Sequence, residues 1–242
     1  MSGHSKWKNI KHKKEKTDAQ KAKVFTKIGK EITIAVRAGG PDPVSNTKLR
    51  DLIQKAKSLN VPNDNIDRTI KKASGADAAN YEEIVYEGYG PSGVAVIVTT
   101  ATDNRNRTAS EMRHYFDKFG GNLGSSGCVS YLFSDKGLIV ILAENVEDED
   151  ALMECALEAG ADDILNEGEV FEVYTEPDVV YEVKEALEAA GYEIESADVD
   201  KIPSNYVTLT DENDIKYMNL LLDHLDDNDD VQDVYHNWEN CD

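Results

Sequence analysis

Gly137-Leu138-Ile139-Val140-Ile141-Leu142 opens the stretch, residues 137–203, whose reading decides the fold. Leu138–Leu142 is an aliphatic, β-branched run with the length of a buried strand. A helical period follows over 148–159, then a strand over 170–174, a helix over 178–190 and a strand over 192–199, before Pro203 breaks the pattern. The stretch is read as β-α-β-β-α-β, the order of a ferredoxin-like plait, although the elements named are five and the short segment around Ile164 is left over. Outward on the N-terminal side, Glu83–Glu87 reads as a short strand before the turn Gly88-Tyr89-Gly90-Pro91. Val94–Thr100, a helix over 109–119 and Val129–Phe133 supply β-α-β. On the C-terminal side 205–209, 212–226 and 231–236 supply a second β-α-β. Together these make a second plait with the first inserted between its halves, so the segments around 130 and 207 are expected side by side.

Further towards the start, the grammar is helical. Thr17-Asp18-Ala19-Gln20 matches a capping box, and Val24, Phe25, Ile28, Ile32 and Val36 then form one stripe. Gly39-Gly40-Pro41 stops that helix. A second helix over about 46–59 turns Leu49, Leu52, Ile53, Ala56 and Leu59 inward, and a third, capped by Asn63, buries Ile66, Ile70 and Ala73 before Gly75. The fold class expected is α+β: an N-terminal three-helix bundle followed by two ferredoxin-like α/β domains, one inserted in the other. The domain bounds expected are 1–78, then 79–135 with 204–242, and 136–203.

The charge is as uneven as the fold is modular. The chain of 242 residues carries a net −21, yet through Gly75 there are 18 Lys and Arg against 7 Asp and Glu, or +11. The remaining 8 basic and 40 acidic residues give −32. Hydrophobic residues make up 40%, enough for real cores, so the acidity marks a soluble surface rather than disorder. No apolar run reaches the ~18 residues of a membrane span. The N-terminal lysines have no apolar run behind them, which predicts no secretory signal. Cys128, Cys155 and Cys241 are odd in number and far apart, which points to a reducing, cytoplasmic setting.

The cations concentrate in Lys6-Trp7-Lys8-Asn9-Ile10-Lys11-His12-Lys13-Lys14-Glu15-Lys16, a density suited to displacing counterions from a phosphate backbone. His4, Trp7 and His12 add flat faces for stacking an unpaired base. Lys21, Lys23 and Lys27 continue the basic series on the first helix, and Arg68, Lys71 and Lys72 occupy the outer face of the third. The competing reading of the basic segment is a tail lying against the acidic body of its own molecule. Arg105 and Arg107 lie in Thr102-Asp103-Asn104-Arg105-Asn106-Arg107-Thr108, where Thr108 and Glu111 form a capping box that starts a helix just after Arg107. Two guanidiniums between a strand end and a helix start suit a backbone-phosphate clamp, or bridges to carboxylates of a neighbouring domain.

Other constellations fail on inspection. Gly120-Gly121-Asn122-Leu123-Gly124-Ser125-Ser126-Gly127 lacks the phosphate-loop pattern and leaves a helix instead of entering one, so it reads as a helix cap and connection. Cys128 with His114 has no spacing that brings them together as a nucleophile pair. Asp226-Asp227-Asn228-Asp229-Asp230 lacks the glycine and glutamate of a calcium loop and reads as a solvated acidic turn. No metal site, cofactor, small-molecule substrate or enzyme activity is expected.

Several ordered motifs resemble one family. They are Gly3-His4-Ser5-Lys6-Trp7, Gly39-Gly40-Pro41-Asp42-Pro43, Tyr86-Glu87-Gly88-Tyr89-Gly90-Pro91, Asp103-Asn104-Arg105-Asn106-Arg107-Thr108, Ala159-Gly160-Ala161-Asp162-Asp163 and Asp229-Asp230-Val231-Gln232-Asp233-Val234-Tyr235. The chain is similar nearly end to end to the YebC family, which includes PmpR-type bacterial regulators and the mitochondrial translational activator of cytochrome c oxidase. The resemblance implies a helical bundle with two α/β domains and a non-enzymatic role in gene expression, with no catalytic residues to carry over. Its usual label implies transcriptional regulation by DNA binding. Its translational relatives imply action on the ribosome, easing stalls. The residues themselves lean towards RNA: a lysine-rich segment with aromatics and a second arginine site suit backbone and shape recognition. For DNA, the pair of helices joined by 58–63 resembles a helix-turn-helix, but its outer face offers one arginine and no Asn or Gln for base reading. The expectation is therefore a nucleic-acid-binding regulator, with ribosomal RNA or the ribosome favoured as partner and DNA as the alternative. A second alternative is a protein–protein module whose acidic body meets a basic partner.

Overall fold

The computed structural model describes residues 18–75 and 78–240. In chain order its helices and strands are α1 (Asp18–Gly39), α2 (Thr47–Ser58), α3 (Asn63–Ala73), β1 (Glu82–Tyr89), β2 (Ala95–Thr102), α4 (Arg105–Lys118) and β3 (Asn122–Leu123). There follow β4 (Phe133–Leu142), α5 (Glu149–Ala159), β5 (Asp163–Asn166), β6 (Val170–Thr175), α6 (Val180–Ala189), β7 (Ile194–Pro203), α7 (Glu212–Asp227) and β8 (Val231–His236). Leu132–Tyr206, with Glu239 and Asn240, forms one compact unit; the other runs from the described start of the chain to Tyr131 and resumes over Val207–Trp238. Each holds one four-stranded antiparallel sheet, so the fold is α+β.

In the 132–206 unit the strand order is β5-β6-β4-β7, with every neighbouring pair antiparallel. Ile164, left over in the sequence reading, lies in β5, the edge strand that completes the β-α-β-β-α-β count. One face of the sheet, with Ile139, Ile141, Phe171, Val173 and Ala197, packs against Leu152, Ala156, Val180, Val183 and Leu187 of α5 and α6. The ends of the unit adjoin: Phe133 pairs with Pro203, and the Ser204 N–H donates to the Leu132 carbonyl at 2.7 Å.

The helices α1, α2 and α3 share a core of Ile28, Ile32, Val36, Leu49, Leu52, Val61 and Ile66. Buried Asn46 joins two helix ends at once. Its amide donates to the Ala35 and Gly40 carbonyls at the end of α1, and its oxygen accepts the Leu49 N–H in the first turn of α2. Asn60 takes the left-handed conformation (φ +58°) as the Val61 N–H reaches back to the Ala56 carbonyl at 2.9 Å. That is a Schellman closure, and it turns the chain sharply from α2 into α3. The α3 start differs from expectation: Asn63 is its first residue, with Pro62 at the cap and no side-chain capping bond. The expected capping box at 17–20 lies partly outside the described residues.

The second sheet has the order β3-β1-β2-β8. Here the expected strands change. Glu82–Tyr89 is a full sheet member, hairpinned to β2 from Glu82↔Thr102 to Tyr89↔Ala95. Among the described residues, 205–209 form an isolated bridge, Val207 to Trp238, in place of a strand. Val129–Phe133 is not a strand; Ser130–Leu132 is a 3-10 turn, and Phe133 already begins the ten-residue β4. The cause is Glu87. Its buried carboxylate accepts from the N–H groups of Gly127, Val129 and Ser130 at 2.7, 2.9 and 2.9 Å, so a side chain takes the donors that a strand would offer a neighbour. Burial raises the Glu87 pKa, but these amide bonds outweigh it and leave the carboxyl below its ordinary value. Glu87→Ala would strand three amides and is expected to cost about 2–3 kcal/mol in urea unfolding. No helix among the described residues is long and apolar enough to cross a membrane.

Candidate nucleic-acid interface

Two groups of described cations in the helical bundle bear on the interface. The first is on α1, where Lys23, Lys27 and Lys30 recur at helical spacing along one face. Lys23 donates to the Asp227 carboxylate at 2.8 Å, and Lys27 to the Asp226 carbonyl at 2.9 Å. Lys30 is buried and donates to the Asp230 carboxylate and the Asp229 carbonyl, both at 2.8 Å. The turn 226–230 is therefore not simply solvated acid, as its composition suggests. It is the seat on which the bundle rests, and three lysines hold it. Sequence reasoning placed Lys23 and Lys27 on nucleic acid and missed Lys30, although the 23-27-30 spacing was the available signal.

Asp230 is the hub. It is 5% exposed, and one carboxylate oxygen accepts from Arg107 at 2.6 Å, Thr108 at 2.9 Å and Thr102 at 3.0 Å while the other meets Lys30. Burial drives its pKa up, but the bonds from Arg107, Lys30 and Thr108 prevail and hold it at about 2. Arg107 also pairs with Asp103 at 3.0 Å, and the two carboxylates raise its own pKa. The helix geometry corrects the sequence reading. The α4 cap is Asn104, whose side chain accepts the Arg107 N–H at 3.1 Å, so both arginines sit in the first turn of α4 and Thr108 is buried inside it. Of the two roles open to Arg107, carboxylate bridging describes it. Arg105 is exposed with no ion pair to a described residue. Arg107→Ala is therefore expected to lower the melting temperature, while Arg105→Ala leaves it unchanged; circular dichroism melts of both variants check this.

The second group is on α3. Arg68, Lys71 and Lys72 are exposed, and their side chains make no hydrogen bond or ion pair with a described residue. Lys57, in the last turn of α2, has the same character and was not singled out from the sequence. Lys57 stands just before the turn from α2 into α3, Arg68 midway along α3, and Lys71 and Lys72 in its last turn. Asp64 and Asp67 stand exposed in the first half of α3, so positive charge gathers towards its C-terminal half. Of the remaining expected residues, His4, Lys6, Trp7, Lys8, Lys11, His12, Lys13, Lys14, Lys16 and the Lys21 side chain lie outside the described residues.

Nothing in the described bonds joins Cys128 to His114. Burial, with the Glu87 charge nearby, raises the Cys128 pKa and keeps it a thiol. Among the described residues no group of three His, Cys, Asp or Glu could hold a metal ion.

Comparison with known proteins places this arrangement. The family model for the TACO1/YebC protein N-terminal domain matches residues 5–76, and that for the TACO1/YebC second and third domain matches residues 81–238. A protein of Acetivibrio thermocellus named "Probable transcriptional regulatory protein" is 60% identical over 98% of this chain and 99% of its own length. One of Lachnoclostridium phytofermentans with the same name is 56% identical over 99% of this chain and 100% of its own. A conserved hypothetical protein of Aquifex aeolicus, known from a crystal structure, superposes with a TM-score of 0.81 at 49% identity, covering 93% of each chain. Matched from bundle to last strand by sequence and by fold, this chain belongs to the TACO1/YebC family.

Proposed function

We propose that the protein is a non-enzymatic regulator of gene expression that grips a nucleic-acid backbone, with duplex DNA as the target. The observation that carries the reading is the division of cations. Those facing the 226–230 turn are neutralised, whereas Lys57 at the end of α2 and Arg68, Lys71 and Lys72 on α3 are left outward without carboxylate partners among the described residues. The names of the relatives support the transcriptional role.

The physics sets the style of binding. A helix of 11 residues is about 16 Å long, enough to cross a major groove about 12 Å wide. Base reading by a recognition helix uses its N-terminal residues, and here Asp64 and Asp67 would face the phosphates with the wrong sign. Binding then falls to the basic C-terminal half, which meets the backbone and gives affinity with little sequence preference. The residues expected to grip are these four, Arg105 and the lysines of 6–16.

A second reading has one observation in its favour. The same lack of base-reading side chains suits structured RNA, which is recognised by shape and backbone, and would make the protein a ribosome-associated translation factor. In-cell crosslinking with sequencing of the bound nucleic acid separates the two. Recovery of promoter-proximal DNA is expected. Recovery of ribosomal RNA in its place overturns the DNA reading and favours the second, and recovery of neither leaves the acidic body as a protein-binding module.

A further inference from the structure

We propose, resting on the reading of α3 as a nucleic-acid grip, that a cleft between α1 and α3 takes one unpaired nucleobase of the gripped strand. The cleft has a volume of about 220 Å³. Ile28, Ile32 and Ile66 of the bundle core line it, together with half-buried Phe25. Exposed Arg68 lines it too, so it opens at the surface beside the unpaired cations of α3. Sites for drug-sized ligands begin at roughly 300 Å³, so this one suits a single flat ring system. Gly29 keeps it open. It lies inside the 22-residue α1 and has no positive φ, so no turn calls for a glycine there. Nor does helix packing: among the described residues a Cβ at 29 would meet the Thr69 Cγ2 at 4.0 Å, an ordinary contact. Alanine would make the better helix, yet glycine leaves its share of the cleft empty.

The walls of the cleft divide as a nucleotide does. Asn65, Arg68, Thr69 and Lys72 recur at helical spacing along one stripe of α3, and the first three line the cleft. The Asn65 side-chain amide makes no hydrogen bond with a described residue, and it offers both a donor and an acceptor to a base edge. The Phe25 ring and the aliphatic floor suit the face of a base. Arg68 at the mouth, with Lys71 and Lys72 following on α3, supplies positive charge for the flanking phosphates. An apolar side chain of a protein partner would use the floor but answer neither the amide nor the guanidinium. A base already unpaired spares the cost of unstacking, so bulges, gaps and single strands are the preferred targets.

The cleft is tested in the full chain with two labelled DNA duplexes that differ by one unpaired nucleotide, read by fluorescence anisotropy. The full chain is expected to bind the duplex with the unpaired nucleotide about tenfold tighter. Gly29→Leu, which fills the cleft, is expected to bring the ratio of the two affinities to about one. Asn65→Ala, which removes the amide and no core group, is expected to lower the same ratio. Equal binding of both duplexes by the parent overturns the base site and leaves the cleft to an apolar side chain of a protein partner, while the grip itself stands. A ratio unchanged in the two variants, each melting like the parent, overturns the base site as well. Binding to neither duplex overturns the grip and the base site together.

Discussion

Asp230→Ala is expected to destabilise the protein by about 3–5 kcal/mol, the cost of removing one partner from a buried ion pair. The loss is this large because Asp230 serves four donors at once. Without it Lys30 is left 9% exposed with only carbonyl partners, and the Thr102 and Thr108 hydroxyls lose their shared acceptor. The bundle also loses the buried bond between Lys30 and the Asp230 carboxylate at 2.8 Å. Urea unfolding followed through the buried Trp238 reads the change. Asp227→Ala serves as the control, because the Lys23–Asp227 pair is exposed and such pairs contribute little.

The same carboxylate fixes the acid limit. Its pKa is about 2 when folded, against an ordinary value near 3.8. A group whose pKa falls on folding contributes stability above the unfolded value and loses it as pH drops through the folded one. Stability linked to Asp230 should therefore be complete above about pH 4 and fade from there to about pH 2. The Asp230→Ala variant should lack that portion of the acid transition.

Deletion of residues 1–16 is expected to remove most nucleic-acid affinity. The deleted segment holds six lysines, and every phosphate that goes unneutralised without them withholds its share of counterion release. At moderate salt the combined effect should be on the order of a 10³-fold weaker affinity, read by fluorescence anisotropy on a labelled duplex. A truncated protein that binds as tightly as the full chain would place the whole grip on α2 and α3.

Much of the fold was legible because hydrophobic period survives in the sequence. The aliphatic run at Leu138–Leu142 and the helical stripes around it sit in the plait order β5-β6-β4-β7. The four-residue β5 escaped because so short a strand shows no period of its own. The partner strands of the other sheet were misplaced for a different reason. Val129–Phe133 has strand-like residues, but its first two amides answer to Glu87, 42 and 43 positions away, and no local pattern records that. The cations follow the same rule. Lys23 and Lys71 look equivalent in sequence, yet one meets Asp227, 204 residues later, and the other meets nothing described. Arg107 was legible as an anion-seeking group, while the identity of its anion was tertiary information. Composition found the positive charge; only the packing of α1 on the 226–230 turn separated the part that builds the protein from the part left for a partner.

The salt dependence of nucleic-acid binding tests that separation most directly. Log affinity is measured against log salt concentration for the full chain and for the combined Arg68→Ala, Lys71→Ala and Lys72→Ala variant. A steep slope is expected for the full chain, shallower by about 3 in the variant, since each neutralised phosphate contributes about 0.9. An unchanged slope in a variant that melts like the parent would contradict the assignment of α3 as a nucleic-acid grip.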